Sequence, residues 1–192
     1  MGLSIMIVGV GGQGTLLASR ILGNLALAQG NDVKVSEVHG MSQRGGSVVT
    51  YVKYDENKVS SPIIDEGGAD LILAFEELEA YRYMPYLKKG GRMICNTQNI
   101  DPMPVIIGAM EYPAEILNKM QAKELDVISV DAAKLALEAG NIRTVNVVLI
   151  GVLSQAMDIK EEEWEKVIRE TVPEKAVDVN LKAFYLGRNY KI

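Results

Sequence analysis

A glycine-rich hexapeptide at residues 9–14 (Gly-Val-Gly-Gly-Gln-Gly) restricts the possible folds more than any other stretch of the chain. It follows a continuous apolar run, residues 3–8, of the kind that forms a buried parallel strand. It precedes a helical pattern of apolar residues that starts near Thr15. Strand, glycine turn and helix in this order open a Rossmann-type βαβ unit, so the sequence predicts an α/β sheet whose first strand ends in this loop.

The pattern after the first helix predicts further alternation of strands and helices. Residues 32–38 should close a right-handed βαβ unit. The next strand, residues 47–54, follows without an intervening helix, so we expect it to be antiparallel to its neighbour or at a sheet edge. Other strands are predicted at 69–75, 92–96, 105–107 and 126–130. Helices are predicted at 15–29, 76–83, 114–123, 131–139, 144–157, 161–170 and 174–186.

These elements define the predicted fold class. We expect one α/β domain spanning residues 1–192, with a Rossmann-like open sheet and a helical C-terminal layer. The sheet should be mostly parallel, with one antiparallel or edge strand.

Composition argues against several classes of function. The net charge is -5 and basic residues form no stripe, so nucleic acid is not an expected partner. The longest apolar run, residues 145–153, is too short to cross a bilayer, and no signal peptide is recognisable, so we expect a cytoplasmic protein without a membrane partner. Cys95 is the only cysteine and His39 the only histidine. One thiol cannot hold an iron–sulfur cluster and one imidazole makes no His-rich zinc site, so we expect no metal on this chain.

The first glycine loop is a candidate cofactor-binding site. Glycines at Gly9, Gly11, Gly12 and Gly14 let backbone N–H groups face outward at a helix N-terminus, an arrangement that favours an anion such as phosphate. The simpler interpretation is a tight turn with close helix–sheet packing. Gln13 is an unusual residue here, and its amide could bind a ligand or a partner backbone.

A second glycine-rich loop follows the second predicted strand. His39 could act as a general base or as a donor to an anion, although a loop histidine bonded to a carbonyl is the simpler interpretation. Arg44 is the best candidate for anion recognition, with a salt bridge at an interface or in solvent as an equal alternative. Gln43, Gly45 and Gly46 surround Arg44 and complete the candidate cofactor-binding set.

Other polar residues have simpler interpretations. Glu37 lies 23 residues after Gly14, near the position where a Rossmann protein places its ribose-binding acid, but an acid at a strand end is the favoured interpretation. Cys95 follows apolar residues and is better interpreted as a packing residue than as a nucleophile. Asn146 and Asn180 are expected to be buried hydrogen-bonding groups.

Together the two loops, residues 9–14 and 36–48, resemble the gamma-type subunit of 2-oxoacid:ferredoxin oxidoreductases, also known as the pyruvate/ketoisovalerate oxidoreductase gamma domain. The His-Gly-Met-x-Gln-Arg-Gly-Gly form of residues 39–46 looks most like the small (beta) subunit of the indolepyruvate branch. The similarity continues through Gly140-Asn141, Asn146 and residues 180–187. It therefore covers essentially the whole chain.

The resemblance implies a reaction in which a 2-oxoacid, with an aryl pyruvate favoured, is oxidatively decarboxylated to acyl-CoA and its electrons pass to ferredoxin. It also implies that thiamine diphosphate, iron–sulfur clusters and coenzyme A are bound mainly by larger partner chains, and none by this chain alone. The chain would be inactive by itself and would contribute to assembly and to the edge of the active site, with His39 and Arg44 nearby. Both loops should emerge beyond the carboxyl ends of the first two strands.

Two other functional classes remain open from the sequence. One is an NAD(P)-dependent Rossmann oxidoreductase that uses the first glycine loop and Glu37. The other is a non-catalytic docking scaffold. Whether the isolated chain forms a homodimer is also open. Saturable binding of NADH would favour the first class, and co-purification with a larger cofactor-bearing chain would favour the resemblance.

Overall fold

The computed structural model describes residues 2–40, 45–123 and 125–191, and a six-stranded mixed sheet forms its centre. The strands are β1 Leu3–Val10, β2 Asp32–His39, β3 Ser47–Asp55, β4 Ala69–Ala74, β5 Leu87–Asn96 and β6 Asp126–Val130. The helices are α1 Thr15–Ala28, α2 Glu77–Tyr83, α3 Met103–Ile106, α4 Ile116–Gln121, α5 Ala132–Ala139, α6 Val145–Ser154, α7 Glu161–Thr171 and α8 Val177–Arg188. Short 3₁₀ turns lie at Met84–Tyr86, Ile142–Thr144 and Glu174–Ala176.

The sheet has the order β2-β3-β1-β4-β5-β6, and β3 runs against the other strands. The predicted antiparallel direction of β3 is confirmed, but its predicted alternative place at a sheet edge is wrong, because β2 occupies the edge. The predicted βαβ unit also needs correction, since β2 does not pair with β1 and β3 lies between them. The physical cause is the short connection after His39, which is compatible with a hairpin and too short for a helical crossover.

Successive residues of β1 point to opposite faces of the sheet and define two cores. Ile5 and Ile7 join a core under α1 and the C-terminal helices, whereas Met6 and Val8 join a smaller core under α2 and α4. The predicted helical C-terminal layer is confirmed. Helix α6 is buried from Asn146 onward because it lies between the sheet and α8.

The crossing of α6 and α8 depends on two glycines. A Cβ atom at Gly151 would overlap the Phe184 carbonyl oxygen of α8, and one at Gly187 would overlap the Val148 carbonyl oxygen of α6. The two backbones can approach each other only because neither position carries a side chain. This contact fixes the helical layer against the sheet.

Three further expectations can be compared with the structure. Residues 105–107 are not a strand, because Met103–Ile106 forms a helical turn in which the Pro102 carbonyl accepts hydrogen bonds from Val105 and Ile106. Cys95 is fully buried, and burial raises the pKa of its thiol, as expected for a packing residue rather than a nucleophile. No helix within the described ranges is long and apolar enough to cross a membrane.

Candidate functional site at the carboxyl end of the sheet

The two glycine loops meet beyond the carboxyl ends of β1 and β2, as the sequence predicts. The Gly11 N–H donates to the Gly46 carbonyl oxygen at 3.1 Å and joins the loops directly. Between them lies a cleft of about 460 Å³, whose walls include Thr15 of α1 and Glu37 and His39 of β2. This is the position at which open α/β sheets bind ligands.

The N-terminus of α1 opens into this cleft without a side-chain cap. Gly14 is the N-cap residue in the left-handed region, with φ 85°, and within the described residues no side chain caps the first-turn amides. Gly12, with φ 94°, also needs the left-handed region that favours glycine. The first-turn amides and the helix dipole give this wall of the cleft a partial positive charge, so the geometry suits an anion.

Gln13 braces the first glycine loop from within the chain. Its Oε1 accepts a hydrogen bond from the Val10 N–H at 2.7 Å, and its Nε2 donates to the Phe75 carbonyl at 3.1 Å and to Gln98 Oε1 at 3.1 Å. A Cβ atom at Gly9 would lie 2.7 Å from Gln13 Oε1, so this brace requires glycine at that position. The residue therefore has a structural role here, and its contact with a ligand or a partner stays a prediction.

A buried asparagine that the sequence did not single out completes this brace. The Asn96 Nδ2 donates to the Phe75 carbonyl at 3.0 Å, and its Oδ1 accepts from the Ala132 N–H at 3.1 Å, in the first turn of α5. The side chain is 1% exposed. Its place at the carboxyl end of a parallel strand is the signal that could have identified it.

The second loop is held where β3 begins. The Ser47 hydroxyl donates to Glu79 Oε2 at 2.5 Å, and the Arg82 guanidinium donates to Glu79 Oε1 at 2.6 Å. Glu79 is almost fully buried, and this burial raises the pKa of its carboxyl group despite the cation beside it. The sequence offered no signal for this contact, because 32 residues separate Ser47 from Glu79.

The remaining predicted residues lie in different surroundings. His39 is exposed at the end of β2 beside the cleft, and Glu37 Oε2 accepts a hydrogen bond from the Thr50 hydroxyl at 3.1 Å. Gly45, in the second loop, has φ 70° and therefore adopts the left-handed region that favours glycine. Gln43 and Arg44 lie outside the described residues.

Both asparagines of the C-terminal layer are buried and hydrogen-bonded, as expected. Asn146 Nδ2 donates to the Gly14 carbonyl at 3.3 Å and so links α6 to the first glycine loop. Asn180 Nδ2 donates to the Ala176 carbonyl at 2.8 Å within the last helix. Only the first of them bears on the site.

The sheet order also separates this site from a standard dinucleotide site. In a Rossmann fold the strand that carries the ribose-binding acid lies beside the first strand. Here β3 lies between β1 and β2, which moves Glu37 outward by one strand spacing, about 4.8 Å. The Glu37 carboxylate also accepts a hydrogen bond from the Thr50 hydroxyl.

Within the described ranges, no group of His, Cys, Asp or Glu side chains is placed to hold a metal ion.

The chain belongs to the pyruvate ferredoxin/flavodoxin oxidoreductase family, whose model matches residues 4–190. It is a subunit of the 2-oxoacid:ferredoxin oxidoreductase type, and the resemblance seen in the two loops is confirmed. It is 49% identical to the indolepyruvate oxidoreductase subunit IorB of Thermococcus kodakarensis over 189 residues, which cover 96% of this chain and 93% of that protein.

Solved structures agree with this assignment at the level of the fold. The gamma subunit of a keto/oxoacid ferredoxin oxidoreductase from Geobacter sulfurreducens matches with a TM-score of 0.71 and 23% identity, covering 96% of this chain and 95% of that one. The 2-oxoglutarate:ferredoxin oxidoreductase of Magnetococcus marinus matches with a TM-score of 0.68 and 20% identity. The match covers 97% of this chain but 30% of the Magnetococcus chain, so the same fold also occurs as part of a longer polypeptide.

Proposed function

We propose that this chain is the small subunit of an aryl-2-oxoacid:ferredoxin oxidoreductase and that its two-loop cleft forms one wall of the active site. In the overall reaction a 2-oxoacid and coenzyme A give acyl-CoA and carbon dioxide, and the two electrons released reduce ferredoxin. The observation that carries the proposal is the cleft of about 460 Å³ at the joined glycine loops, with the uncapped N-terminus of α1 on one wall.

The cleft suits a pyrophosphate, a group that both coenzyme A and thiamine diphosphate contain. The first-turn amides of α1 and the Gly12 amide would bind its oxygens. Arg44 directly precedes Gly45 and would add a cation, while His39 would donate a hydrogen bond or accept a proton at the mouth. When bound, thiamine diphosphate supplies the carbanion stabilisation that decarboxylation needs.

The larger subunit of the same enzyme should hold thiamine diphosphate and the iron–sulfur clusters, and ferredoxin should dock on the complex. Cluster ligation takes about four thiolates, and this chain has only the buried Cys95. The preference for an aryl pyruvate is supported by the identity to a protein named for indolepyruvate. It predicts that the complex turns over indolepyruvate with a higher kcat/KM than pyruvate or 2-oxoglutarate.

Gly11 offers a direct test, because a Cβ atom at this position would meet nothing within 4 Å. In the co-expressed complex, Gly11→Leu should fill the cleft and lower kcat/KM for coenzyme A by about tenfold or more, since small displacements in a site are costly. Assembly and the free energy of unfolding should stay unchanged. Gly11→Ala is the matched control and should have a smaller effect. Full activity of an assembled Gly11→Leu complex would refute the role of the cleft.

A further inference from the structure

An exposed apolar segment follows β5 at the same end of the sheet. We call residues 101–111 the apolar hook. Its large side chains Met103, Ile106, Ile107 and Met110 are 54%, 64%, 70% and 65% exposed. Met103 and Ile106 belong to α3, and Ile107 and Met110 follow in the turn after it. Four large apolar groups so close in sequence are more than the scattered apolar residues of an ordinary surface.

The hook has a defined internal structure. The Pro102 carbonyl accepts from Val105 and Ile106 at 2.9 and 3.1 Å, and the Pro104 carbonyl accepts from Ala109 and Met110 at 2.9 and 3.1 Å. These bonds hold the apolar side chains on a fixed backbone. An ordered apolar surface loses little conformational entropy on docking, and this is a property of a binding element.

A single buried carboxylate holds both ends of the hook. Glu76 is 1% exposed, and its Oε1 accepts from the Ile100 N–H at 3.1 Å, just before the hook. The same oxygen accepts from the Tyr112 hydroxyl at 2.5 Å, just after it. Glu76 Oε2 accepts from the Glu79 N–H at 2.9 Å and caps α2. Burying a carboxylate is costly unless it is fully hydrogen-bonded, so this anchor fixes the hook at a definite place in the fold.

The hook is continuous with the two-loop cleft. Gln98, three residues before the hook, accepts a hydrogen bond from Gln13 of the first glycine loop and, through its carbonyl, one from the Glu77 N–H at 3.1 Å. The apolar surface and the cleft therefore belong to one end of the molecule. A chain of a multisubunit oxidoreductase that exposes both is suited to be covered there by another subunit.

We propose that the apolar hook docks into the larger subunit of the same oxidoreductase, in an apolar groove with a basic rim. The basic rim follows from charge complementarity, because Asp101 and Glu111 are exposed at the two ends of the apolar surface. A second copy of this chain fits less well, since an isologous contact through the hook would place the acidic ends of the two copies, Asp101 and Glu111, against each other. The inference rests on the proposed function only in that the cleft faces the larger subunit.

The double substitution Ile106→Gln/Ile107→Gln tests the hook in the co-expressed full-length complex. The matched control is Leu27→Gln/Leu137→Gln, which removes two side chains, 59% and 64% exposed, from α1 and α5. The dissociation constant is measured by following complex dissociation on dilution, with circular dichroism as the check on folding. We expect about 100-fold weaker association for the hook variant and less than about threefold for the control, because few interface residues carry most binding energy.

The outcomes separate this inference from the proposed function. At concentrations that restore assembly, the hook variant should turn over normally, whereas an assembled Gly11→Leu complex should not. Unchanged association of the folded hook variant would overturn the inference and leave the cleft proposal intact. The inference would also be overturned if the hook variant lost self-association but still bound the larger subunit normally. That result would identify a second copy of this chain as the occupant of the hook.

A second pair of substitutions tests the basic rim. Asp101→Asn/Glu111→Gln should slow association severalfold at low salt and reduce its salt dependence, because rim charges act mainly on the association rate. An unchanged association rate and salt dependence would overturn the assigned chemistry of the groove.

Discussion

The two ends of the sheet differ in how their polar groups are satisfied. At the amino end, Asp70 accepts from the Ser4 N–H at 3.0 Å and pairs with Lys88 at 2.9 Å, and Arg92 pairs with Asp126 at 2.7 Å. A cleft of about 580 Å³ also lies at this end, and its wall contains the paired Asp70 and Lys88 together with two further acids, Glu56 and Asp158. The strand-end charges of Asp70, Lys88, Arg92 and Asp126 are therefore paired within the chain.

At the carboxyl end, the chain uses buried carboxylates to hold surfaces that it does not cover itself. Glu76 anchors the apolar hook, and Glu79 anchors the start of β3 below the second glycine loop. The N-terminus of α1 has no side-chain cap at the same end. The comparison teaches that size alone does not distinguish the proposed functional cleft, whereas its uncapped helix amides and the ordered apolar groups beside it do.

The largest effect on stability is expected at Gly14, where the carboxyl end meets the C-terminal helices. Gly14 has φ 85°, and a Cβ atom there would lie 2.7 Å from Asn146 Nδ2. Gly14→Ala should therefore lower the free energy of unfolding by about 2–4 kcal/mol, from backbone strain and overpacking together. Urea titration of Gly14→Ala beside Gly11→Ala measures the difference. Equal stability of the two variants would show that the loop is not bound to α6 in this way.

The carboxyl groups of Glu79 at the carboxyl end and Asp32 at the amino end should change the free energy of unfolding with pH in opposite directions. Burial raises the pKa of Glu79, so the folded state holds this proton more tightly than the unfolded state does. The corresponding stability is present below the unfolded pKa and is lost as pH rises through the folded pKa. Asp32, near the amino end, has its pKa lowered by the Lys34 hydrogen bond, so its contribution is present above the unfolded pKa and is lost as pH falls.

Urea titrations from about pH 2 to pH 8 measure this contrast, since the ordinary carboxyl pKa values are about 4 and the Asp32 contribution is lost only below them. With Glu79→Gln as the reference, the wild-type free energy of unfolding should decline as pH rises from the ordinary pKa of a glutamate. With Asp32→Asn as the reference, it should decline only as pH falls to the acidic limit. A parallel pH dependence of wild type and Glu79→Gln would mean that this carboxyl group titrates as in the unfolded chain.

The smallest effect is expected at the amino end. In Asp70→Asn the amide oxygen can still accept from Ser4, and only the exposed pair with Lys88 is lost. Such pairs contribute about 0–1 kcal/mol, so stability should change within that range. Assembly with the larger subunit should be unchanged in the same dilution measurement. Weakened assembly would break the contrast between the two ends, because it would place a partner at the amino end as well.

Much of the fold could be predicted because its signals are local. The helix α5 agrees with the helix predicted at residues 131–139, because the Asp131 side chain accepts from the Lys134 N–H at its start and Gly140, with φ 113°, ends it. The joined glycine loops were also predictable, because parallel strands that share a direction end on the same side of a sheet. The prediction at residues 105–107 failed because a run of β-branched and apolar residues indicates a strand only when a partner strand is available.

The sequence by itself determined the periodicity of the elements, the glycine turn before α1 and, through the two loops, membership of the family. Each of these depends on residues that are close in the chain. Only the tertiary structure decided that β3 inserts beside β1, that Gln13 is braced by Gln98, and that Glu76 holds both ends of the apolar hook. The physical reason is that a polar side chain has many possible partners in a sequence, and the packing of distant elements selects which of them come within hydrogen-bonding distance.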